Sequence, residues 1–117
     1  MAKAHFLKAW KVIEPGTAEA PSGAIFEISD DGSDKVSIDY GDGFASTYPS
    51  AQSGTYDSEN DEVVANFSET QRITFRFHEN NGTPDYDQLE ASVEEMFVGG
   101  LTAGPEVGEW GAEADAG

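Results

Sequence analysis

The chain contains no cysteine and only six basic residues, against 23 Asp and Glu among 117 residues. Without cysteine the protein has no disulfides, no thiolate metal ligands and no thiol catalysis. Its net charge of −17 would repel nucleic-acid phosphates over most of the surface, so direct nucleic-acid binding is not expected. No apolar run approaches the ~20 residues of a membrane span or forms the apolar stretch of a signal peptide, so no membrane partner is expected.

Large aliphatic side chains are also scarce. Leu, Ile, Val and Phe make up 22 residues, about 19% of the chain. A share below roughly 20% together with a large net charge favours disorder. Seven Phe, four Tyr and two Trp argue for a folded domain instead, and the length fits one domain. We therefore expect a folded domain with a thin core, stabilised by salt, a metal or neighbouring subunits.

The charges are unevenly distributed along the chain. The first 13 residues contain Lys3, Lys8 and Lys11 and no acidic residue. After Arg76 there are ten acidic residues and no Lys or Arg. A basic start and an acidic end favour pairing, either within one subunit or between neighbouring subunits.

Alternating apolar residues predict two β-hairpins. The first pairs residues 24–28 with 35–40, and the second pairs residues 62–67 with 72–78. Residues 3–13 fit both a helical and a strand spacing. We favour a strand there, because the rest of the chain has β patterns and the sheet needs a further partner.

One helix is predicted in the last third of the chain. Thr83 is a favourable N-cap, and Pro84 suits the first helical position. Gly99 and Gly100 would end the helix. Its apolar stripe at helical spacing comprises Tyr86, Leu89, Val93, Met96 and Phe97.

These elements predict an α+β fold that is mostly β. We expect a small antiparallel sheet or sandwich of two hairpins plus an N-terminal strand, with one C-terminal helix and an extended C-terminal arm. Residues 1–100 would form this single domain, with a long loop at 41–61 that exceeds the usual connection of about 4–6 residues. Residues 101–117 would form the acidic arm.

Three carboxylates resemble part of a calcium loop. Asp30, Asp34 and Asp39 lie close together in the sequence, with Gly32 in the turn between the first two. Closely spaced carboxylates supply the oxygen ligands that Ca²⁺ prefers. The closing glutamate of the calcium-loop pattern is missing, and a solvated turn explains the same residues. We expect no cofactor, with calcium at these three residues as the alternative.

Catalytic motifs are not evident. His5 and His78 lie in no zinc or hydrolase motif, and the G-x-S-x-G nucleophile pattern does not occur. A pair of catalytic carboxylates cannot be chosen among 23 acidic residues. We therefore expect a protein that is not an enzyme.

Aromatic residues in the long loop and the arm predict a protein-binding surface. Tyr provides adaptable contact area at low entropic cost, as at many interfaces. The same residues would also fit a loop whose aromatics pack onto the sheet, and both interpretations stay open. The candidate contact residues are Tyr40, Phe44, Tyr48, Tyr56, Val107 and Trp110.

The composition resembles that of haloarchaeal proteins, with abundant Asp and Glu, few Lys and no Cys. In molar salt the Debye length falls to about 3 Å, so repulsion among surface carboxylates is screened. This resemblance indicates an environment and no particular family.

The sequence favours a structural or assembly protein. The leading hypothesis is a virion component of a virus of a halophilic host, such as a capsid-decorating, tail or connector protein. It would form a homo-oligomer or bind neighbouring virion subunits. The alternative is a cytoplasmic acidic mimic of nucleic acid that inhibits a host DNA-binding or defence enzyme.

Overall fold

A closed β-barrel forms the body of the protein. A computed structural model describes residues 3–13, 16–17, 19–41, 43–45, 48–67, 71–97 and 102–115. In these residues eight antiparallel strands pair in chain order, and β1 pairs with β8 to close the sheet. The short helix α1 spans Lys3–Phe6 and precedes the sheet. The strands are β1 Ala9–Val12, β2 Ile25–Asp30, β3 Lys35–Tyr40, β4 Ala51–Asp57, β5 Glu62–Asn66, β6 Gln71–Asn80, β7 Thr83–Phe97 and β8 Thr102–Ala114.

The meander gives the barrel two different ends. The strands β1, β3, β5 and β7 run toward the same end of the barrel, which we call the loop end. The short turns that follow β2, β4 and β6 lie at the opposite end together with α1, and we call this the helix end.

Side chains fill the barrel interior. An eight-stranded barrel is just wide enough for its own side chains to fill, or to hold one small ligand. At the helix end, Phe6 of α1 stacks on Phe77 with ring centroids 4.1 Å apart. Toward the loop end, Phe26 lies 5.3 Å from Phe75 and 5.6 Å from Trp110. These aromatic rings therefore occupy the interior of the barrel between its two ends.

The core is larger than the scarcity of aliphatic residues predicted. Twenty-one hydrophobic side chains are buried among the described residues. Ten of these are residues that a count of Leu, Ile, Val and Phe omits: Trp10, Ala20, Ala24, Tyr40, Tyr48, Tyr56, Ala65, Ala91, Trp110 and Ala112. Two Trp and three Tyr supply much of the buried volume, because aromatic side chains bury the largest areas.

Both predicted hairpins are confirmed. β2 pairs with β3 and β5 pairs with β6, close to the predicted bounds. The ambiguous residues 3–13 contain both predicted structures, since α1 is followed by β1. Phe6 is buried by the helix, and Trp10 and Val12 are buried by the strand.

The predicted C-terminal helix is wrong, and with it the α+β fold class. Residues 83–97 form β7, which pairs with β6 and β8. The cause of the error is a β-bulge, because Phe77 opposes Leu89 whereas His78 opposes Asp85. Because of the extra residues on β7, Tyr86 and Leu89 both pack against the core. They are three positions apart in the sequence, which is the spacing expected for one face of a helix.

The extended arm and the long loop are also corrected. Residues 102–114 form β8, and residues 51–57 of the expected loop form β4. Both strands place small or polar residues inward, such as Gln52 and Gly54 in β4 and Ala112 in β8. Such residues leave no hydrophobic alternation in the sequence.

The basic start of the chain pairs with acidic residues of the same chain. The Nζ of Lys3 lies 2.6 Å from Asp30 Oδ1. Lys8 and Lys11 approach Asp87 and Glu113 at 3.7 and 3.9 Å respectively. These contacts hold α1 and β1 against the turn after β2 and the strands β7 and β8. In the part of the chain that the structure describes, no helix has the length and apolar character needed to cross a membrane.

Candidate functional site

A cavity of about 230 Å³ opens at the loop end of the barrel. Its walls come from three connections and from β6, β7 and β8, so residues distant in sequence converge there. The lining residues are Thr17, Glu19, Tyr48, Phe67, Gln71, Val93, Gly108, Glu109 and Trp110. We call this space the loop-end cavity.

A tight turn positions Glu19 at this cavity. The Thr17 hydroxyl accepts hydrogen bonds from the backbone N–H groups of Glu19 and Ala20, at 3.2 and 3.0 Å. The backbone N–H of Ala45 donates to the carbonyl of Glu19 at 2.9 Å. The β1–β2 connection is thereby tied to the β3–β4 connection, which carries Tyr48. Side-chain hydrogen bonds of this kind favour turns over regular strands.

Three aromatic side chains form the inner wall. Trp110 donates a hydrogen bond from Nε1 to the hydroxyl of Tyr48 at 3.0 Å. The rings of Tyr48 and Phe67 meet edge to face, with centroids 4.8 Å apart. Tyr48 and Trp110 are buried and Phe67 is half-buried. We call Tyr48, Phe67 and Trp110 the aromatic floor.

A buried polar contact supports the aromatic floor from inside the barrel. The Tyr40 hydroxyl donates to Gln52 Oε1 at 2.8 Å, and Gln52 Nε2 donates to the carbonyl of Asn66 at 2.9 Å. Burial raises the pKa of Tyr40 well above its ordinary value of 10, with a further contribution from Tyr48. Tyr40 therefore stays neutral and keeps its hydrogen bond across the physiological pH range.

The charged side chains that line the cavity are negative. Glu19 and Glu109 are exposed, and no Lys, Arg or His is among the described lining residues. Burial raises the pKa of Tyr48, the hydrogen bond from Trp110 lowers it, and the nearby Glu19 carboxylate raises it. The influence of Glu19 on Tyr48 places a negative charge close to the aromatic floor.

The wall of the cavity has open space beside Gly108. A Cβ atom built at this position would meet no atom within 4 Å. The backbone there does not adopt a positive φ, so a larger residue fits without strain. Gly108 is therefore a position from which a side chain can fill the cavity.

No protein-family model, curated protein or solved structure matches this chain. Inferences about function therefore rest on the chemistry of specific sites, because a barrel architecture alone hosts many functions.

The structure brings four of the six predicted contact residues together. Tyr40 lies 5.2 Å from Phe44 and 5.0 Å from Tyr48, and Phe44 lies 6.1 Å from Trp110, between ring centroids. Tyr40, Tyr48 and Trp110 are buried and Phe44 is half-buried. They form the closed side of the loop end instead of an exposed surface. A contact between these residues and a protein partner stays a prediction.

The other two predicted contact residues lie elsewhere. Tyr56 is at the helix end, where its hydroxyl donates to Asp61 Oδ1 at 2.8 Å and its ring lies 6.0 Å from Phe6. Burial and the neighbouring Asp61 raise the pKa of Tyr56 to about 12. The side chain of Val107 lies outside the described residues.

The candidate calcium ligands do not converge. Asp39 opposes Glu27 in the β2–β3 ladder, whereas Asp30 opposes Val36, three residues away along the strand or roughly 10 Å. Asp34 lies in the intervening turn, and Lys3 binds the Asp30 carboxylate. Within the described ranges, no group of three or more His, Asp or Glu side chains could hold a metal ion.

A second, more open groove of about 310 Å³ lies at the helix end. Its lining includes Arg76 and Glu90. Arg76 pairs with Glu62 at 2.9 Å, and Glu90 contacts His78 Nδ1 at 2.7 Å. Because these charges are already paired, the loop-end cavity is the better candidate site.

Several cavity residues had no role in the sequence analysis. Phe67 was expected to point inward at the end of the second hairpin, and Val93 was assigned to the helical stripe. A correct assignment of β7 would have placed both at one barrel end. Glu19, Gln71 and Glu109 carry no sequence signal, since exposed polar residues near turns are common.

Proposed function

We propose that the protein is a small-molecule-binding barrel and that the loop-end cavity is its binding site. The observation that carries this proposal is the aromatic floor, with its Trp110–Tyr48 hydrogen bond, beneath an open cavity that six chain segments enclose. Ligand sites are typically concave, with apolar walls and a few placed polar groups, and the mouths of β-barrels are a common location.

The size of the cavity limits the ligand. Its volume of about 230 Å³ equals that of roughly eight water molecules at ~30 Å³ each. Typical sites for larger ligands measure about 300–1,000 Å³. A molecule built around one ring fits this space, and a larger ligand would project past Glu19 and Glu109 into solvent.

Binding is favoured over catalysis by the chemistry of the lining. The Thr17 hydroxyl already accepts two backbone hydrogen bonds. The described lining contains no His or Lys beside it, and its carboxylates, Glu19 and Glu109, are exposed to solvent. Gln71, Tyr48 and the two glutamates instead offer hydrogen-bonding groups that orient a ligand.

The two functions expected from the sequence remain predictions with less structural motivation. The virion assembly hypothesis depended on an exposed aromatic loop and a separate acidic arm, but these segments contribute to the closed barrel. The nucleic-acid mimic needs a row of unpaired charge. On the outer face of β7, Glu94 pairs with Arg72 at 2.7 Å and Glu90 pairs with His78.

The proposal is tested by a fragment screen with a blocked variant as the control. Single-ring fragments should shift the NMR signals of the Trp110 indole and the Phe67 ring in the original protein. Gly108→Leu should abolish these shifts by filling the cavity, whereas Gly108→Ala should retain most of them. Thermal melts of both variants verify that they are folded.

The proposal is wrong if no single-ring fragment shifts these signals. It is equally wrong if folded Gly108→Leu responds as strongly as the original protein, because the fragments would then bind elsewhere.

A further inference from the structure

We propose that the loop-end cavity selects small organic cations, with an ammonium head between Glu19 and Glu109 and an apolar body on the aromatic floor. This inference rests on the proposed function, since it names the ligand class for the same cavity.

The two glutamates are available to a ligand. Five of the six Lys and Arg side chains pair with other carboxylates, at Asp30, Asp87, Glu113, Glu94 and Glu62. Among the described residues, none of these ion pairs reaches Glu19 or Glu109. The protein therefore leaves both charges at the mouth of the cavity without a basic neighbour.

The aromatic floor supplies the contact for the apolar body of the ligand, because Tyr48, Phe67 and Trp110 line the same cavity as the two glutamates. Phe67 and Val93 offer apolar surface to the remainder of the ligand. An inorganic cation would gain from the carboxylates alone, because it has no apolar body to bury.

Charge also disfavours the opposite class of ligand. A concave site with walls of low dielectric and charges of one sign concentrates the field, and it raises the local concentration of ions of the opposite sign. An anion of the same size would meet Glu19, Glu109 and the general field of a protein with net charge −17. Neutral ligands experience neither effect and provide the reference.

Three probes of similar shape separate these classes. Benzylamine carries a positive charge, benzyl alcohol is neutral and benzoate carries a negative charge. Binding is measured by titration of the Trp110 indole NMR signal, at the lowest KCl concentration at which the full chain stays folded. We expect benzylamine to bind about tenfold tighter than benzyl alcohol, which corresponds to ~1.4 kcal/mol, and benzoate to bind more weakly than both.

Charge removal identifies the groups responsible. Glu19→Gln and Glu109→Gln should each reduce the ratio of benzylamine affinity to benzyl alcohol affinity about threefold. Glu59→Gln is the matched control, because it removes one exposed carboxylate from the β4–β5 turn at the opposite end of the barrel. It should leave all three affinities as they are.

The outcomes distinguish this inference from the proposed function. If benzyl alcohol binds as tightly as benzylamine, the cation inference is wrong and the binding site stands. If the preference for benzylamine survives in the Glu19→Gln, Glu109→Gln double variant, the assigned role of these residues is wrong. If none of the three probes shifts the Trp110 signal, the cation inference is wrong, and the fragment screen decides the proposed function separately.

Discussion

The indole of Trp110 donates its Nε1 hydrogen to the hydroxyl of Tyr48 over 3.0 Å, although the two residues are 62 positions apart in sequence. This hydrogen bond joins β8 to the β3–β4 connection across the loop end. Both side chains are buried, so the bond fixes the shape of the aromatic floor before a ligand arrives.

Tyr48→Phe should lower the free energy of unfolding by about 1–3 kcal/mol. It removes the acceptor and leaves the buried indole N–H without a partner. In a Trp110→Phe background the same change should cost much less, because the donor is already absent. Chemical denaturation of the four proteins of this double-mutant cycle gives the coupling energy, and a value near zero would contradict the hydrogen bond.

Gly82→Ala should destabilise the protein by about 1–2 kcal/mol. Asn81 and Gly82 form the β6–β7 turn with φ values of 54° and 84°. Asparagine tolerates this left-handed region, whereas alanine adopts it only with strain. Gly108→Ala is the matched control, since neither position crowds a new Cβ but Gly108 lacks the positive φ. Equal effects of the two substitutions on urea unfolding would argue against this turn.

Asp39→Lys should stabilise the protein by about 0.5 kcal/mol in low salt. Asp39 lies directly opposite Glu27 on the outer face of β2 and β3, and both are exposed. Like charges in this position repel, and a lysine would convert the pair to an attractive one. Glu59→Lys makes the same change of charge in a turn, where we expect a smaller gain, and molar KCl should remove the difference.

The melting temperature of the unmodified protein should rise with KCl from low to multimolar concentrations. The net charge of −17 destabilises the compact state through self-repulsion, and salt screens this repulsion. Thermal melts followed by circular dichroism measure the trend. A melting temperature that is flat or falls with salt would contradict the predicted adaptation to high salt.

The His78–Glu90 pair should make stability depend on pH. The hydrogen bond to Glu90 raises the pKa of His78 above its ordinary value of 6.5. Burial opposes this effect, whereas the negative charges of Glu90 and Asp85 and a hydrogen bond to Asn80 add to it. The charged histidine therefore stabilises the folded state fully below pH 6.5, and this contribution is lost as pH rises through the higher folded pKa. His78→Gln should remove this decline from a series of urea denaturations at rising pH. An unchanged pH profile would show that the pair does not contribute.

The sequence predicted those strands in which large apolar residues alternate. Phe26 and Ile28, and likewise Ile73 and Phe75, alternate with polar residues and are buried, so both hairpins were assigned correctly. Strand β4 was not predicted, because its inward-facing residues include Gln52 and Gly54 and are not all apolar. Gly54 is needed where a Cβ would approach Val36 Cγ2 to 3.0 Å, a close packing that only the folded barrel shows.

β7 had a local signal that was assigned to the wrong structure. The Asn81-Gly82 dipeptide is the strongest short hairpin signal, yet a helix was predicted to begin directly after it, at Thr83. The bulge then gave Tyr86 and Leu89 a helical spacing. Assigning this turn as a hairpin would have extended the sheet by one strand.

The candidate site was predictable only in part. The sequence grouped the aromatic residues of the loop with Trp110, and the structure does bring Tyr40, Phe44, Tyr48 and Trp110 together. The sequence left open whether these residues are exposed at an interface or pack onto the sheet, because their burial depends on closure of the barrel. The position of Glu19 beside Tyr48 depends on the Thr17 turn, which no periodic pattern encodes.

Closure of the barrel has a consequence for solubility. Strand β1 has only four residues, yet its pairing with β2 on one side and with residues 112–114 of β8 on the other closes the barrel. Unpaired edges are templates for aggregation, and proteins often protect them with charge. In molar salt, repulsion between charges extends only about 3 Å. Charge repulsion between molecules therefore cannot keep even a chain this acidic dispersed in such salt. Loss of the short first strand would expose the edges of β2 and β8, and neighbouring molecules would then join edge to edge.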